Sequence, residues 1–397
     1  MEFSQNQEKK IKAFTTFFYP VLAGLEIAVF EIYSRLVKEG WDIEMYVTKN
    51  SLGTKKNLAD FEIVNGIKIK RFNSFIYSLF PWWMHPNFNF KGVVCLHDFE
   101  ILPGVFLCSY FIFLKIINKK KFTVILSDHG LFSRKKSVNT DMKLKIKRFI
   151  DHTLGVFLIN LSIDKVHAVS EWCKEGLVNA GVKPELIIVI GNGIDDLAFS
   201  DIEKAASQNI KKRVLEFGPY LLQVGRINRV KNFEVTIKSL KLIPSKIKLV
   251  IVGEIQDKKY YTELLNLAKS LGVGDRVLFL GQIVGHDKYF LMKHALAFVH
   301  MSFSEGFGNV VIEAMSQGAV CIVSRGSALE ELVVDNLNGF TLDSDNVEGL
   351  VDKLLYVIKP LNKEKILLMK KICGQTKGKR SWGRVTSLMR SFYTSSY

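Results

Sequence analysis

Short apolar runs alternate with helix-like repeats along the first half of the chain. The runs are rich in β-branched and aromatic side chains, which is typical of strands, and they cover Lys12–Phe18, Ile43–Val47, Ile67–Phe72, Val93–His97, Thr123–Ser127 and Lys165–Val169. Between them, Glu26–Glu39 repeats apolar residues at helical spacing and closes at Gly40. Ser170–Ala180 follows the same design, with Ser170 as N-cap and Gly181 as C-cap. This alternation predicts βαβ units that wind a parallel sheet.

The alternation continues through Ile187–Ile190 and resumes after a polar stretch, 195–217, which we interpret as a linker between domains. Further predicted strands are Tyr220–Val224, Lys248–Val252, Arg276–Leu280, Leu296–His300 and Ala319–Val323. The helices predicted between them are Phe233–Leu242, Tyr260–Leu271, Asp287–His294 and Val310–Gln317. A chain of 397 residues is long enough for two domains. The pattern therefore predicts two doubly wound α/β domains, residues 1–197 and 215–380.

The charge balance favours an anionic partner. The sequence holds 55 Lys and Arg against 39 Asp and Glu, a formal net charge of +16, and 48% of its residues are hydrophobic. Half of the surplus lies within residues 119–148, where only Asp128 and Asp141 oppose ten basic side chains. Nucleic acid, nucleotide phosphates and acidic lipid all remain open on charge alone. The apolar content excludes a mainly disordered chain.

Cysteine usage and the N-terminal residues indicate a cytoplasmic protein. The five cysteines are far apart and form no Cys-x-x-Cys pair, so the sequence indicates neither a disulfide framework nor a zinc ribbon. Residues 1–12 are polar and lack the apolar core of a secretory signal. The longest uncharged apolar run, 101–114, is shorter than the ~20 residues that a spanning helix needs, and we predict a buried helix there.

Two segments of the first domain have the composition of a membrane surface. Within 134–150, apolar side chains are interleaved with Lys143, Lys145, Lys147 and Arg148, which in a helix gives a basic flank beside an apolar stripe. The segment 72–90 is dense in Phe, Tyr and Trp, and Trp and Tyr favour the membrane interface. We predict reversible binding of 134–150 to the inner face of the cell membrane. The alternative is a solvated lysine-rich helix beside a buried aromatic loop.

A glycine-rich turn between a predicted strand and helix, Ser302–Gly318, carries the strongest chemical signal. Gly306 and Gly308 permit backbone angles and close approaches that side chains forbid, and the N–H groups at the helix start can bind a phosphate. Glu305 and Glu313 flank this position. Carboxylates repel a diphosphate, so we expect them to accept hydrogen bonds from hydroxyls on either side of it. This arrangement predicts a nucleotide-sugar site.

A second strand end supplies two cations. Gly225 and Arg226 follow the strand Tyr220–Val224, and Lys231 comes five residues later. The guanidinium of an arginine can bind phosphate through two parallel hydrogen bonds, and the ammonium of a lysine adds a localised positive charge. Together they can offset most of the charge of a diphosphate without a metal. Asp343-Ser344-Asp345 has the spacing of a metal-binding Asp-x-Asp, but we interpret it as a solvated turn before a helix.

These residues resemble the retaining glycosyltransferases of family 4, whose mark is Glu-x7-Glu in the setting found here at Glu305–Gly318. The resemblance covers nearly the whole chain and includes the loop 224–232, the segments 169–181 and 191–195, and Ser381-Trp382. It implies the GT-B fold, two Rossmann-like domains facing a cleft, with the final helix, 381–397, returning to the first domain. It also implies retention of anomeric configuration, no metal and no other cofactor.

The resemblance assigns roles to individual residues. Arg226 and Lys231 would hold the diphosphate beside Gly225, Glu313 the ribose hydroxyls, and Glu305 a hydroxyl of the donor sugar. Gly306 belongs to the same turn, and main-chain amides of the following residues would face the donor: Phe307, Gly308, Asn309 and Val310. In the first domain, Gly24 belongs to a Gly-Gly-x-Glu motif whose first glycine is Ala23 here. His129, after a strand, would contact the donor sugar, and His97-Asp98 lies at a neighbouring strand end.

The leading hypothesis is therefore an enzyme that moves a hexosyl or N-acetylhexosaminyl group from a UDP- or GDP-sugar to a glycan or lipid-linked glycan, in cell-envelope polysaccharide or glycolipid assembly. Arg226, Lys231 and the helix amides would stabilise the charge that develops on the departing phosphate, which would accelerate the transfer. The alternative is a non-enzymatic nucleic-acid- or membrane-binding protein on the same scaffold. We expect no nucleic acid partner, because the basic surplus lies in no recognised nucleic-acid motif. An epimerase or a glycogen-synthase-like enzyme is disfavoured by the quality of the Glu-x7-Glu match.

Overall fold

The computed structural model describes residues 9–20, 24–49, 58–72, 92–97, 101–117, 122–130, 132–133, 150–375 and 380–395. The chain divides into two compact units. Unit 1 combines Met1–Asn192 with Trp382–Tyr397, and unit 2 is Gly193–Ser381. Each unit is built on its own sheet, and the architecture is the predicted pair of Rossmann-like α/β domains.

The sheet of unit 1 runs in the order β3-β4-β2-β1-β5-β6-β7-β8. All neighbours are parallel except β3 and β4, which are antiparallel. Every residue of β5 and β6 is buried, as expected for central strands covered on both faces. The strands are β1 (Lys10–Phe14), β2 (Asp42–Thr48), β3 (Phe61–Val64), β4 (Ile67–Phe72), β5 (Gly92–His97), β6 (Phe122–Asp128), β7 (Lys165–Ala168) and β8 (Ile187–Val189).

Strand β3 was not predicted from the sequence. It is short, and it places Phe61 and Ile63 in solvent at the edge of the sheet, so it lacks the strong apolar run of a buried strand. The turn that joins it to β4 is Asn65-Gly66, with both residues at positive φ. Asn-Gly is the preferred sequence of a two-residue hairpin turn, and this signal was available. Strand β1 also begins and ends earlier than the predicted Lys12–Phe18.

The helices of unit 1 that precede the chain's crossing to unit 2 are α1 (Gly24–Lys38), α2 (Ile101–Ile116), α3 (Val156–Ser162), which follows a π turn at Asp151–Gly155, and α4 (Glu171–Ala180). Helix α4 has the predicted caps: Ser170 Oγ accepts from Cys173 N, and Gly181 has φ +103°. The predicted buried helix at 101–114 is α2. Its Cys108 and Phe111 are buried, whereas Phe113 and Ile116 are exposed.

Within the described ranges, no helix combines the length and the apolar character that crossing a membrane requires. The basic segment predicted to bind lipid and the aromatic segment beside it, 134–150 and 72–90, lie outside the described residues apart from their outermost positions.

Unit 2 is a parallel sheet in the order β11-β10-β9-β12-β13-β14. Its strands are β9 (Tyr220–Val224), β10 (Lys248–Val252), β11 (Val277–Phe279), β12 (Ala297–His300), β13 (Cys321–Ser324) and β14 (Gly339–Leu342). Its helices are α5 (Ile202–Ala205), α6 (Gln208–Phe217), α7 (Phe233–Ser239), α8 (Lys258–Ser270), α9 (Gly285–His294), α10 (Asn309–Ser316), α11 (Leu329–Leu332), α12 (Val347–Ile358) and α13 (Lys363–Gly374).

The predicted linker at 195–217 is wrong. This stretch forms a 3-10 turn, Asp196–Phe199, followed by α5 and α6, and it belongs to unit 2. Polar contacts hold it: the Asp287 carboxylate on α9 accepts from both the backbone N and the Oγ of Ser207, each at 2.7 Å. Because few of its side chains are apolar and buried, it lacks the apolar rhythm of a packed helix. The units therefore divide between Asn192 and Gly193 rather than at 197 and 215.

The final helix, α14 (Trp382–Thr394), belongs to unit 1, as the resemblance implied. It packs against α1. Its apolar face joins the core formed by β1, β2 and α1 through Trp382, Val385, Met389, Phe392 and Tyr393. The chain thus closes unit 1 with its last turns, and unit 1 cannot bury this face of its core without them.

The strand order of unit 2 fixes where its ligand site lies. The chain winds outward from β9 to β11 and then crosses back to β12 on the other side of β9. Parallel sheets bind ligands in the crevice beyond the carboxyl ends of the strands at such a switch point. Two segments follow the strand ends at this crevice: 225–231 after β9, and 301–309 after β12. These are the two segments that the sequence singled out.

Candidate functional site in unit 2

The position of Lys231 is set by a short turn, by a hydrogen bond to its carbonyl and by the packing of its side chain. The chain leaves β9 at Gly225 and forms one 3-10 turn, Arg229–Lys231, which ends at Asn232 with φ +49°. Gln223 Nε2 donates to Lys231 O at 3.0 Å, and Gln223 Oε1 in turn accepts from Thr236 Oγ1 at 2.8 Å. The stem of Lys231 lies against Gly225, where a Cβ would sit 3.5 Å from three of its carbons.

Lys231 reaches the segment after β12 and pairs with Glu305. Its Nζ lies 2.5 Å from Glu305 Oε1, and the two side chains are only 18% and 14% exposed. His300 Nε2 lies 2.7 Å from the same oxygen. The backbones are also tied, since Ser302 Oγ and Phe303 N both donate to Val230 O at 2.9 Å. The structure thus brings together two of the predicted site segments.

The charge of Glu305 is stabilised in this setting. Burial acts to raise the pKa of Glu305, but the charge of Lys231 and the hydrogen bond from His300 outweigh it and hold the pKa well below its usual range. Burial lowers the pKa of His300, and Glu305 offsets part of that effect. His300 is therefore neutral at pH 7 and donates its Nε2–H to the carboxylate. Glu305 Oε2 is left as an acceptor, with no hydrogen bond to the described part of the chain.

The glycine-rich turn depends on Gly308, which caps α10 with φ +97°. A Cβ at this position would lie 2.5 Å from Leu329 Cδ2 and 3.3 Å from Leu332 Cδ1, so α11 packs where a side chain would stand. At the start of α10, Val311 N–H donates to Gly308 O at 2.9 Å, so this amide is already paired. The amide of Val310 makes no backbone hydrogen bond to the described residues.

Glu313, one turn into α10, has the same arrangement as Glu305. Its Oε1 lies 2.9 Å from Lys288 Nζ on α9, and these side chains are 15% and 17% exposed. Its Oε2 is buried and has no hydrogen-bond partner among the described residues. Each carboxylate of the Glu-x7-Glu pair thus has one oxygen held by a lysine and the other left over as an acceptor.

The arginines beside Lys231 differ in what they contact. Arg226 is exposed and forms no ion pair with a described residue. Arg229 forks onto Glu263, at 2.7 and 2.6 Å from its two oxygens, and its guanidinium lies 5.2 Å from the centre of the Tyr260 ring. Arg226 is consequently available to an anion, whereas Arg229 fastens the turn to α8. Phe307 is buried, with the Arg380 guanidinium 5.2 Å from its ring.

Three residues that contribute to this arrangement were not singled out from the sequence: Lys288, His300 and Gln223. Lys288 lies in a helix with several other charged residues, and His300 occupies the end of an apolar strand. No sequence signal distinguishes them, because their contacts depend on how α9 and β12 pack. The Asp343-Ser344-Asp345 segment is the predicted polar turn before α12, and both of its aspartates are exposed.

In unit 1, His129 belongs to a row of three imidazoles. His167 Nε2 donates to Ile190 O at 2.7 Å, and Ser127 Oγ lies 2.8 Å from His167 Nδ1 and 3.2 Å from His129 Nε2. Because a carbonyl can only accept, His167 carries its proton on Nε2, Ser127 donates to His167 Nδ1, and His129 Nε2–H donates to Ser127. Burial lowers the pKa of both His129 and His167 to about 4.

The remaining first-domain residues lie around this row. His97 Nε2 is 2.9 Å from the Tyr33 hydroxyl, and its ring centre is 6.0 Å from that of His129. Gly24 is the first residue of α1. Ala23 and Asp98 lie outside the described residues. The roles that the resemblance implies for Gly24 and His129 stay predictions.

The architecture and the unit 2 site define the class of protein. GT-B glycosyltransferases share two features with this chain: two Rossmann-like units, and a Glu-x7-Glu pair at a switch point beside an exposed arginine and a half-buried lysine. The model for glycosyl transferases group 1 matches residues 206–367, and the model for Glycosyltransferase Family 4 matches residues 22–196. The chain belongs to glycosyltransferase family 4 and has the GT-B fold.

Solved structures agree with this fold. The chain is similar to Anabaena HepE in complex with UDP-glucose, with a TM-score of 0.74 and 18% identity, over 97% of this chain and 99% of that one. It is also similar to sucrose-phosphate synthase from Thermosynechococcus elongatus, with a TM-score of 0.75 and 17% identity, over 98% and 99% of the two chains.

Two curated relatives are informative. An uncharacterized glycosyltransferase of Methanocaldococcus jannaschii is 26% identical, over 86% of this chain and 88% of that protein. The second is an N-acetylgalactosamine-N,N'-diacetylbacillosaminyl-diphospho-undecaprenol 4-alpha-N-acetylgalactosaminyltransferase of Campylobacter jejuni. It is 29% identical, but the match spans 54% of this chain and only 57% of that enzyme.

Proposed function

We propose that this glycosyltransferase moves a sugar from a nucleoside diphosphate donor to a hydroxyl of a glycan or lipid-linked glycan, with retention of configuration and without a metal. The observation that carries the proposal is the pair of lysine-held carboxylates, Glu305 and Glu313, on either side of the start of α10. Each offers one acceptor oxygen, and a nucleotide sugar has hydroxyls on both sides of its diphosphate.

Electrostatics makes this site compatible with a dianionic group. At an effective dielectric constant of 20, a single charge 4 Å away contributes about 4 kcal/mol, so two bare carboxylates would strongly oppose a diphosphate. Lys231 and Lys288 cancel them. Arg226, which has no described ion-pair partner, is then the net positive charge of the site, and the start of α10 adds its dipole.

The same groups account for the chemistry. The bond between the anomeric carbon and the diphosphate oxygen breaks, a bond to the acceptor oxygen forms on the same face of the sugar, and the acceptor proton passes to a phosphate oxygen of the leaving group. Negative charge develops on the departing phosphate. Arg226, the Lys231 ammonium and the α10 terminus stabilise that charge in the transition state, which lowers the barrier.

Relatives support the choice of substrates to test. The Anabaena HepE structures contain UDP and UDP-glucose, which supports UDP-sugars as first donors. The Campylobacter jejuni enzyme is named for a diphospho-undecaprenol acceptor, which supports a lipid-linked acceptor and a place in cell-envelope glycan assembly. A lipid-linked acceptor would require the enzyme to bind reversibly at the inner face of the membrane.

The surface of unit 1 supports that requirement. Helices α2 and α3 pack against each other, and both expose large apolar side chains, among them Phe113, Ile116, Phe157 and Leu161. The basic stretch 119–148 lies between these helices in the sequence. Exposed apolar side chains on helices that flank a lysine-rich segment in the sequence suit an anionic lipid surface.

Nucleotide binding separates the proposed enzyme from its rival. We expect UDP or GDP to raise the melting temperature saturably at constant salt, and a panel of nucleotide sugars to identify one donor that is slowly hydrolysed. Arg226→Ala should weaken the response, whereas Arg213→Ala, on helix α6, should not. Oligonucleotide binding that weakens steeply with salt, without any nucleotide response, would favour the nucleic-acid-binding alternative.

A further inference from the structure

Lys288 and Glu313 link α9 to α10 through a nearly buried ion pair. The ammonium lies 2.9 Å from Glu313 Oε1, and it also lies 4.9 Å from the centre of the Tyr289 ring. Both side chains are less than one-fifth exposed. Lys288, which contacts both Glu313 and the Tyr289 ring, therefore holds the Glu313 carboxylate in one orientation.

The pair leaves one polar atom unsatisfied. Glu313 Oε2 is buried and accepts no hydrogen bond from the described residues. A buried acceptor without a donor is costly, and a charged one more so. The ion pair alone therefore does not complete this site. It lacks one hydrogen-bond donor for an oxygen of Glu313, which lies one turn after the glycine-rich turn on α10.

We infer that Lys288 is a positioning residue for ribose recognition: it orients Glu313 so that Oε2 accepts a hydrogen bond from a ribose hydroxyl of the nucleotide. This inference rests on the proposed function. Lys288 makes two contributions through Glu313. It fixes the direction of the acceptor oxygen, and it cancels a negative charge that would otherwise repel the adjoining diphosphate.

Deoxynucleotides test this inference directly. Dissociation constants of UDP, 2'-deoxy-UDP and 3'-deoxy-UDP should be measured by calorimetry on the full chain, with the GDP series used if UDP gives no saturable signal. In the wild type, we expect removal of one of the two hydroxyls to weaken binding about 10-fold or more, the effect of losing a hydrogen bond to a charged group.

The ribose discrimination is the ratio of the dissociation constant of the deoxynucleotide to that of UDP, and variants of the Lys288–Glu313 pair should lower it. We expect Lys288→Met to reduce this ratio to about 3-fold or less, because the carboxylate is no longer oriented. Glu313→Ala should reduce it equally, and the double variant should show no further loss. Lys288→Arg keeps a cation at the same place and should retain most of the discrimination.

Lys293→Met is the matched control. Lys293 lies on the same helix and forms an ion pair of the same length, 2.9 Å, but with Glu203. This variant should keep the full ribose discrimination. If Lys288→Met proves unstable, Lys288→Met/Glu313→Gln removes both charges and should also lose the discrimination.

Each outcome decides between the ideas. If Lys288→Met weakens UDP and both deoxynucleotides by the same factor and leaves their ratio unchanged, the ion pair only joins two helices and the inference is wrong, although the proposed function stands. Equal binding of all three nucleotides by the wild type also overturns the inference. If the wild type binds neither UDP nor GDP, the proposed function itself fails.

Discussion

Lys231 and Glu305 form a direct ion pair across 74 residues of sequence, with 2.5 Å between Nζ and Oε1. The pair joins the ends of the two central strands of unit 2, β9 and β12. It changes the role expected of Lys231, which the sequence suggested was a cation for the diphosphate alone. Part of its charge is already balanced by Glu305, so under the proposed function the same lysine would orient one carboxylate and offer its remaining N–H groups to the phosphate.

Replacement of Lys231 should affect the reaction more than the fold. We expect Lys231→Ala to lower the rate of sugar transfer at least 100-fold, because a transition-state donor and the anchor of Glu305 are lost together. The free energy of unfolding should fall by about 1–3 kcal/mol, since Glu305 keeps its bond to His300. Transfer assays and urea unfolding measure the two effects.

Arg229→Ala is the control for this experiment. Arg229 lies in the same 3-10 turn but pairs with Glu263 on the surface, and exposed ion pairs contribute little to stability. Its removal should leave transfer within about 3-fold of the wild type. Near-normal turnover of Lys231→Ala would contradict the assignment of the site.

The loss of folding stability at acidic pH should depend on Glu305. Its folded-state pKa lies well below the ordinary value of 4.5, so below pH 4.5 the unfolded chain binds a proton that the folded chain does not. The stability that Glu305 contributes is thus complete above pH 4.5 and is lost as the pH falls below it. We expect the urea midpoint of Glu305→Gln to fall less steeply than that of the wild type between pH 5 and pH 3. If the urea midpoints of the variant and the wild type fell equally steeply over this pH range, the lowered pKa of Glu305 would be contradicted.

The row of histidines in unit 1 predicts a second pH effect. His129 and His167 have pKa values of about 4 in the folded protein, against an ordinary 6.5. They therefore contribute stability that is complete above pH 6.5 and is lost as the pH falls toward 4. We expect their Cε1–H resonances to stay unchanged from pH 8 to pH 5.5 in a proton NMR titration. Midpoints near pH 6.5 would show that the imidazoles are not buried as described.

Gly308 should tolerate no side chain. We expect Gly308→Ala to destabilise unit 2 by about 1–2 kcal/mol from its left-handed backbone, and by a further 1–3 kcal/mol, approximately, from the contact with Leu329. Gly272→Ala, at a position with φ +69° and open space around it, should show only the first effect. Urea unfolding of both variants measures the difference. Equal losses would mean that α11 moves aside freely.

The apolar surface of α2 and α3 should mediate any binding to lipid. We expect Phe113→Ser/Phe157→Ser to reduce co-sedimentation with vesicles of phosphatidylglycerol and phosphatidylethanolamine at least 3-fold, because two exposed aromatic side chains are lost. Phe61→Ser, at the similarly exposed edge of β3, should bind like the wild type. Equal binding of the double variant and the wild type would contradict a role for this surface.

The segments of the site were predictable because local sequence encodes them. Gly225–Lys231 and Glu305–Glu313 stand out as turns after apolar strands, and the switch-point rule places such turns at one edge of a sheet. The linker prediction failed for the converse reason. Helices α5 and α6 are fastened to α9 by Asp287 and by the pairing of Glu203 with Lys293, and polar contacts between distant segments leave no periodic pattern.

By itself, the sequence determined the family, the two α/β units and the residues of the Glu-x7-Glu pair, since period, capping and turn chemistry act over a few neighbouring positions. Tertiary structure alone decided which cation meets which carboxylate. Lys231 pairs with Glu305 because β9 and β12 are neighbours, and Lys288 pairs with Glu313 because α9 packs on α10. Such pairings depend on strand order and helix packing across 74 and 25 residues, and short-range sequence patterns do not encode them.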